Sequence, residues 1–320
     1  MISTKQVFTA IKSSGISWEK SEKLIQELAW RDYWQQVWIA KGDEIHKDLK
    51  HPQSPVRNYK MPKAITTAQT GINAVDEAIQ ELYASGYMHN HMRMYVAALC
   101  CNIAQCHWRE SAKWLYAHLL DGDLASNQLS WQWVSGANAS KKYYANQNNI
   151  NKYWGSNQKN TFLDVDYADF PEMDVPAVLQ PSINLEIKPR LLKEPIPKLD
   201  SNQITAVYNY YNLDCDWLTG SEYQRVLLIE PSIFERFPIT QKCIDFMMEL
   251  ANNISNIHIF IGEFCELEKY IDSRKISYKE HPLNTHYSGN IYPREWLSDV
   301  EGYYPSFFGF WKQCKKQIKW

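Results

Sequence analysis

The chain changes its hydrophobic rhythm across one proline-rich stretch. Six of its 14 prolines, at positions 171, 176, 181, 189, 195 and 197, fall within residues 171–200. Each fixes φ and removes a backbone donor, so neither a regular helix nor a central strand can run through such a stretch. It reads as a linker or an extended strap. Whatever folds before it and after it does so by different patterns.

Before the strap the pattern is helical. From Ser17 to Trp38 the apolar residues Leu24, Ile25, Leu28, Trp34 and Trp38 recur near helical spacing. Residues 42–68 are polar and contain Pro52, Pro55 and Pro62, which predicts a long loop. Asn73 is placed to cap a helix with Asp76 in its first turn, and Val75, Ala78, Ile79, Leu82 and Tyr83 form its apolar stripe. Gly86 would end it. Met92 to Gln105 is apolar nearly all round, as in a buried helix, and Trp108 to Leu120 is amphipathic.

After the strap, two short apolar runs, at 225–230 and 257–262, flank a helical pattern at 239–252. This predicts a β-α-β unit with a parallel crossover. Neither run is followed by a glycine-rich nucleotide fingerprint. The expected organisation is therefore a mainly α chain: a helical domain over residues 1–165, a strap over 166–203, and a small α/β segment over 204–320.

The net charge of −2 hides an asymmetry, +5 over residues 1–160 and −7 over the rest. A polyanionic partner would meet the first half. No apolar run reaches the roughly 18 residues needed to cross a bilayer, and the start lacks a signal-peptide core. A cytoplasmic chain without membrane contact is expected. Seven scattered cysteines fit reduced thiols. Cys100, Cys101, Cys106 and His107 lack paired metal-ligand spacing, so buried thiols are expected and no metal. The adjacent residues His89, Asn90 and His91 do not have the spread arrangement of a nuclease metal motif.

Chemistry concentrates in four segments. One helical face carries Glu27, Trp30 and Arg31 at i, i+3 and i+4. Thr70 to Asp76 and Gly86 to Met94 follow. The densest segment, Leu120 to Trp133, places Asp121, Gly122, Asp123, Asn127, Trp131 and Trp133 together. In order and spacing these segments resemble the FAD-binding domain of the photolyase/cryptochrome superfamily, over about residues 27–133.

The resemblance implies a cofactor and roles. Arg31, Asn90, Arg93, Asp121, Gly122, Asp123 and Asn127 would contact FAD. The carboxylates would accept hydrogen bonds from ribose hydroxyls or the flavin N3–H, Arg93 would support their turn, and Asn127 would lie beside flavin N5. Glu27, Trp30, Asn90, Met94 and Trp133 would line a substrate cavity for a flipped pyrimidine dimer, the two indoles stacking on it. Trp131, Trp108 and Tyr59 would relay electrons, with Tyr59 where the family has a third Trp. The implied function is light-driven repair of cyclobutane pyrimidine dimers in DNA, single-stranded or with the dimer flipped out; Asn90 stands where enzymes for (6-4) lesions commonly have His. The alternative is a cryptochrome-like photoreceptor or redox flavoprotein without repair. A third class is a helical interaction module without FAD. The chain departs from the family at His91, where repair enzymes commonly carry Arg. The family's Thr-x-Leu-Ser-Pro-Tyr phosphate loop and N-terminal antenna domain are not in this sequence, so the expectation is either a truncated protein or FAD phosphates held otherwise, for example by a second chain.

Overall fold

The computed structural model describes residues 2–189, 191 and 195–320. The chain forms two compact units, one built from the residues up to Gly42 and those from Pro189 onward, the other from Asp43–Lys188. These are called the sheet unit and the helical unit.

The sheet unit begins with α1 (Thr4–Ser13) and α2 (Trp18–Lys41). Ser3 starts α1 with a capping box: its Oγ accepts from Gln6 N–H at 3.1 Å and its own N–H donates to Gln6 Oε1 at 2.7 Å. The 24-residue α2 is longer than the predicted segment and ends at Gly42.

The helical unit holds β1 (Met61–Pro62), α3 (Lys63–Thr66), α4 (Asn73–Ser85), α5 (Asn90–Ala98), α6 (Trp108–His118), α7 (Leu124–Ser135) and α8 (Gln147–Trp154). Gly86 ends α4 in the left-handed region, at φ 76°. The start of α4 differs from the expectation. Asn73 is already helical, and Asp76 reaches back instead, its Oδ1 accepting from Thr70 N–H at 2.8 Å and Thr70 Oγ–H at 2.7 Å. The predicted helix over 92–105 also divides: α5 passes into a π-helical turn at Leu99–Ile103, and Gln105 turns the chain at φ 52°. The first part of the strap packs within this unit. β2 (Ser182–Ile183) pairs antiparallel with β1, and Arg57 donates to the carbonyls of Leu179 and Gln180.

The chain then returns to the sheet unit with β3 (Ile204–Tyr208), β4 (Tyr223–Ile229), α9 (Pro231–Arg236), α10 (Gln241–Ala251), β5 (Ile257–Ile261), α11 (Phe264–Leu267), β6 (Ile276–Lys279), β7 (Asn290–Tyr292) and α12 (Phe307–Gln317). The predicted β-α-β unit is β4-α10-β5, but it is one part of a five-stranded, wholly parallel sheet in the order β5-β4-β3-β6-β7. The α/β part is accordingly larger than a small appendage. Strand β4 runs next to the centre, and all but its first residue are buried, as its apolar stretch Val226–Ile229 requires.

The expected division at 1–165, 166–203 and 204–320 does not follow the compact units. The reason is α2. Asp32 Oδ2 accepts from Leu297 N–H at 2.7 Å, Gln35 Oε1 from Arg294 at 2.6 Å, and Gln36 Oε1 from Gly302 N–H at 2.9 Å. Three buried polar side chains on one helix are thus satisfied by the segment after β7. No helix among the described residues is long and apolar enough to cross a membrane.

Candidate functional site

Within the helical unit the predicted residues gather around the turn between α6 and α7. Asp121 is half exposed, and both its oxygens accept from Arg93 Nη2, at 3.0 and 2.9 Å. Arg93 also donates from Nε to the Met88 carbonyl at 2.7 Å, which locks its direction. Asp123 is buried and caps α7, its Oδ1 accepting from Ser126 N–H at 2.8 Å. Asn127 is buried inside α7, and its amide nitrogen donates to the Ala112 carbonyl of α6 at 2.8 Å. The cap is thus Asp123, while Asn127 ties α7 to α6.

Two glycines shape this turn. A Cβ on Gly122 would lie 3.0 Å from the Leu119 carbonyl oxygen and 3.2 Å from that of Tyr116, so a side chain there would displace the end of α6. Gly86 accepts from Leu120 N–H at 2.9 Å, and a Cβ on it would fall 2.5 Å from Leu120 Cγ. One glycine therefore ends α4 and seats the residue preceding Asp121.

The two relay tryptophans lie on the helices that flank this turn. Trp131 and Trp108 belong to one buried core, with α6 packed along α7. Trp108 donates from Nε1 to Asp48 at 2.7 Å. Tyr59 is exposed and reaches this region through a ring that sequence reasoning passed over. It stacks on His107 at 5.0 Å, and His107 lies 5.7 Å from Trp108. Trp133 is 39% exposed and tilts against Tyr143. Asn90 opens α5 on the surface, and Met94 is half buried one helical turn on. His91 is exposed and stacks on Tyr153 at 5.0 Å. Cys100 and Cys101 are wholly buried, and burial pushes both thiols far up, so they are inert protonated groups.

The remaining three residues are in the sheet unit. Glu27, Trp30 and Arg31 occupy one turn of α2, with Glu27 and Arg31 exposed. Trp30 is not an open stacking surface. Phe307 of α12 covers it face to face, with centroids 3.7 Å apart and an interplanar angle of 10°. Tyr33 and Trp34 close on it at 5.7 and 5.2 Å.

The polar groups around the turn suit FAD. They are two carboxylates and the Asn127 amide oxygen, all acceptors, and Ser126 Oγ, which is buried in the same turn and has no hydrogen-bond partner. A family model, the FAD binding domain of DNA photolyase, matches residues 24–162. The matched segment belongs to the photolyase/cryptochrome superfamily. FAD is the cofactor of this photolyase-type domain. A deoxyribodipyrimidine photo-lyase of Streptomyces griseus is 36% identical over 116 residues, which are 36% of this chain and 26% of that protein. A cryptochrome DASH of Gloeobacter violaceus is 33% identical over 129 residues, 39% of this chain and 25% of that one. The chain thus spans about a quarter of the length of these relatives. A cryptochrome structure from Synechocystis superposes at a TM-score of 0.44 with 25% identity, covering 48% of this chain and 34% of the other.

Proposed function

We propose that this chain is a photolyase-type flavoprotein whose chemistry is light-driven electron transfer to FAD. The observation that carries the reading is that the α6–α7 turn gathers Asp121, Asp123 and Asn127 while the same two helices bury the oxidisable rings Trp108 and Trp131 in one core. Bound FAD supplies a photoexcitable one-electron acceptor. Asp121, oriented by Arg93, would hold a ribose hydroxyl, and Asn127 Oδ1 and Ser126 Oγ would hold polar groups of the flavin. Trp131 and Trp108 would be the oxidisable rings supplying the electron, with Tyr59 the exposed end at which a thiol reductant would replace it.

Repair of pyrimidine dimers is the second reading, favoured by the exposed Trp133 and Asn90 and the half-buried Met94 on the helical unit. It requires Trp30 to exchange Phe307 for a base.

The test is reconstitution with FAD, then blue light in the presence of a thiol. Flavin absorbance should appear on reconstitution and bleach on illumination, and Trp131→Phe should slow the bleaching sharply. A chain that stays colourless in excess FAD ends the flavin reading; equal bleaching in the variant ends the relay assignment. Illumination of the reduced protein with dimer-containing single-stranded DNA separates the two functions, since dimer loss would move repair to the front.

A further inference from the structure

Trp108 is completely buried, and its indole N–H points at a carboxylate. Nε1 lies 2.7 Å from Asp48 Oδ1, while Asp48 keeps 23% of its side chain exposed. The same oxygen is 3.3 Å from His107 Nε2. His107 Nδ1 accepts from Arg109 N–H at 3.3 Å, so the neutral ring carries its proton on Nε2 and donates it toward Asp48. Burial pushes the His107 pKa down, only partly countered by the Asp48 charge, which keeps the ring neutral at pH 7. Asp48 Oδ2 accepts from Gln53 N–H at 2.9 Å. Gln53 in turn holds Trp108 N–H on Oε1 and the Cys106 carbonyl on Nε2, each at 2.9 Å. Carboxylate and indole are therefore fixed on one frame.

We propose that Asp48 is the proton acceptor for Trp108 when this indole is oxidised. The inference rests on the relay reading of Trp108. One electron leaves the Trp108 ring for the oxidised Trp131, or for any one-electron oxidant within reach, and makes the indole N–H strongly acidic. The Nε1 proton crosses the existing hydrogen bond to Asp48 Oδ1. A neutral indolyl radical and a neutral carboxylic acid remain where an indole and a carboxylate stood. The electron then cannot return without the proton, which holds the charges apart. When a thiol re-reduces the ring, Asp48 returns the proton. Among the described residues Asp48 Oδ1 is the acceptor of this buried N–H, and the partly exposed carboxylate stands between the ring and solvent.

The experiment needs no flavin. Cys215 and Cys265, the exposed thiols, are replaced by Ser, and Tyr59→Cys carries a ruthenium tris-diimine photo-oxidant next to His107. A flash with a sacrificial quencher oxidises the neighbouring indole, and transient absorption distinguishes the protonated from the deprotonated radical. Trp108→Phe should abolish the signal. With Asp48 present the deprotonated radical should form at a rate independent of buffer concentration. Asp48→Asn should leave the protonated radical standing, its decay slowed on the order of 100-fold, as for loss of a positioned general base; Asp48→Glu should restore it. Unchanged deprotonation in Asp48→Asn, with the signal still lost in Trp108→Phe, overturns the proposal and leaves the relay intact. A signal that survives Trp108→Phe removes Trp108 from the relay and the proposal with it. If Asp48→Asn does not fold, a rate that rises with buffer concentration in the unaltered carboxylate protein shows the proton leaving to solvent and overturns it equally.

Discussion

Each unit contains an array of aromatic rings, and the two differ in what surrounds the ring nitrogens. In the sheet unit Trp30 stacks on Phe307, Phe307 lies parallel to Trp311 at 6.4 Å, Trp311 to Trp18 at 6.5 Å, and Trp18 meets Trp320 edge-on at 5.6 Å. Faces and edges alone make this ladder. In the helical unit fewer rings are involved, but the indole of Trp108 and the imidazole of His107 converge on one carboxylate oxygen. The lesson is that stacking and redox competence are separate properties. A ladder of rings buries apolar area and holds helices together; a ring whose acidic proton already has an acceptor can change oxidation state without stranding charge in the core.

If the ladder is packing, its loss should cost stability and leave photoreduction alone. Phe307→Ala should destabilise the sheet unit by about 3–5 kcal/mol, the range for truncating a buried aromatic, read by denaturant unfolding with Trp fluorescence. Photoreduction of the FAD-loaded protein should keep its rate under conditions where the variant is folded. A parallel fall in both would make the ladder part of the electron path.

The carboxylates sharpen the contrast. Asp32, buried in the same unit as the ladder, has its pKa pushed up to about 6 by burial, which outweighs the hydrogen bonds from Leu297 N–H and Thr4 Oγ–H. A raised carboxyl pKa means that the folded state holds its proton more tightly than the unfolded chain. Stability from this group is therefore fullest below pH 3.8 and is lost as pH rises toward 6. Asp32→Asn should flatten that loss, removing about 1–3 kcal/mol of the change between pH 4 and 7. The measurement is the difference between parent and variant unfolding free energies across that range; identical slopes would refute the assignment.

The smallest effect is expected at Arg93. Its pair with the half-exposed Asp121 should contribute less than about 1 kcal/mol to folding. Arg93→Ala should therefore leave the melting temperature nearly unchanged while weakening FAD retention, read by flavin release on gel filtration. A large loss of stability would mean that the pair holds the fold rather than the cofactor.

Much of the helical unit was legible because its signals are local. The stripe of Val75 to Tyr83, the stop at Gly86 and the crowding of Asp121 to Trp133 each lie within a few turns of chain. Asp48 was not legible, since it sits in a polar loop and its partner is 60 residues away. Phe307 was missed for the same reason at greater distance: nothing near either ring in sequence announces the stack on Trp30. The sheet was half legible. β4 carries the apolar run Val226–Ile229 and β5 has four apolar residues in five, whereas β6 and β7 are four and three residues long with polar members, and only pairing with neighbours makes them strands.

The allegiance of α2 bears on how this protein can be cut. By ancestry its second half goes with the photolyase-type segment, which begins at residue 24; by hydrogen bonding it is held by Leu297, Arg294 and Gly302, more than 250 residues later. A fragment trimmed to the inherited segment would carry Asp32, Gln35 and Gln36 stripped of those partners. The inherited piece and the compact unit are different lengths of chain, and gene boundaries drawn from kinship would divide a helix that the structure keeps whole.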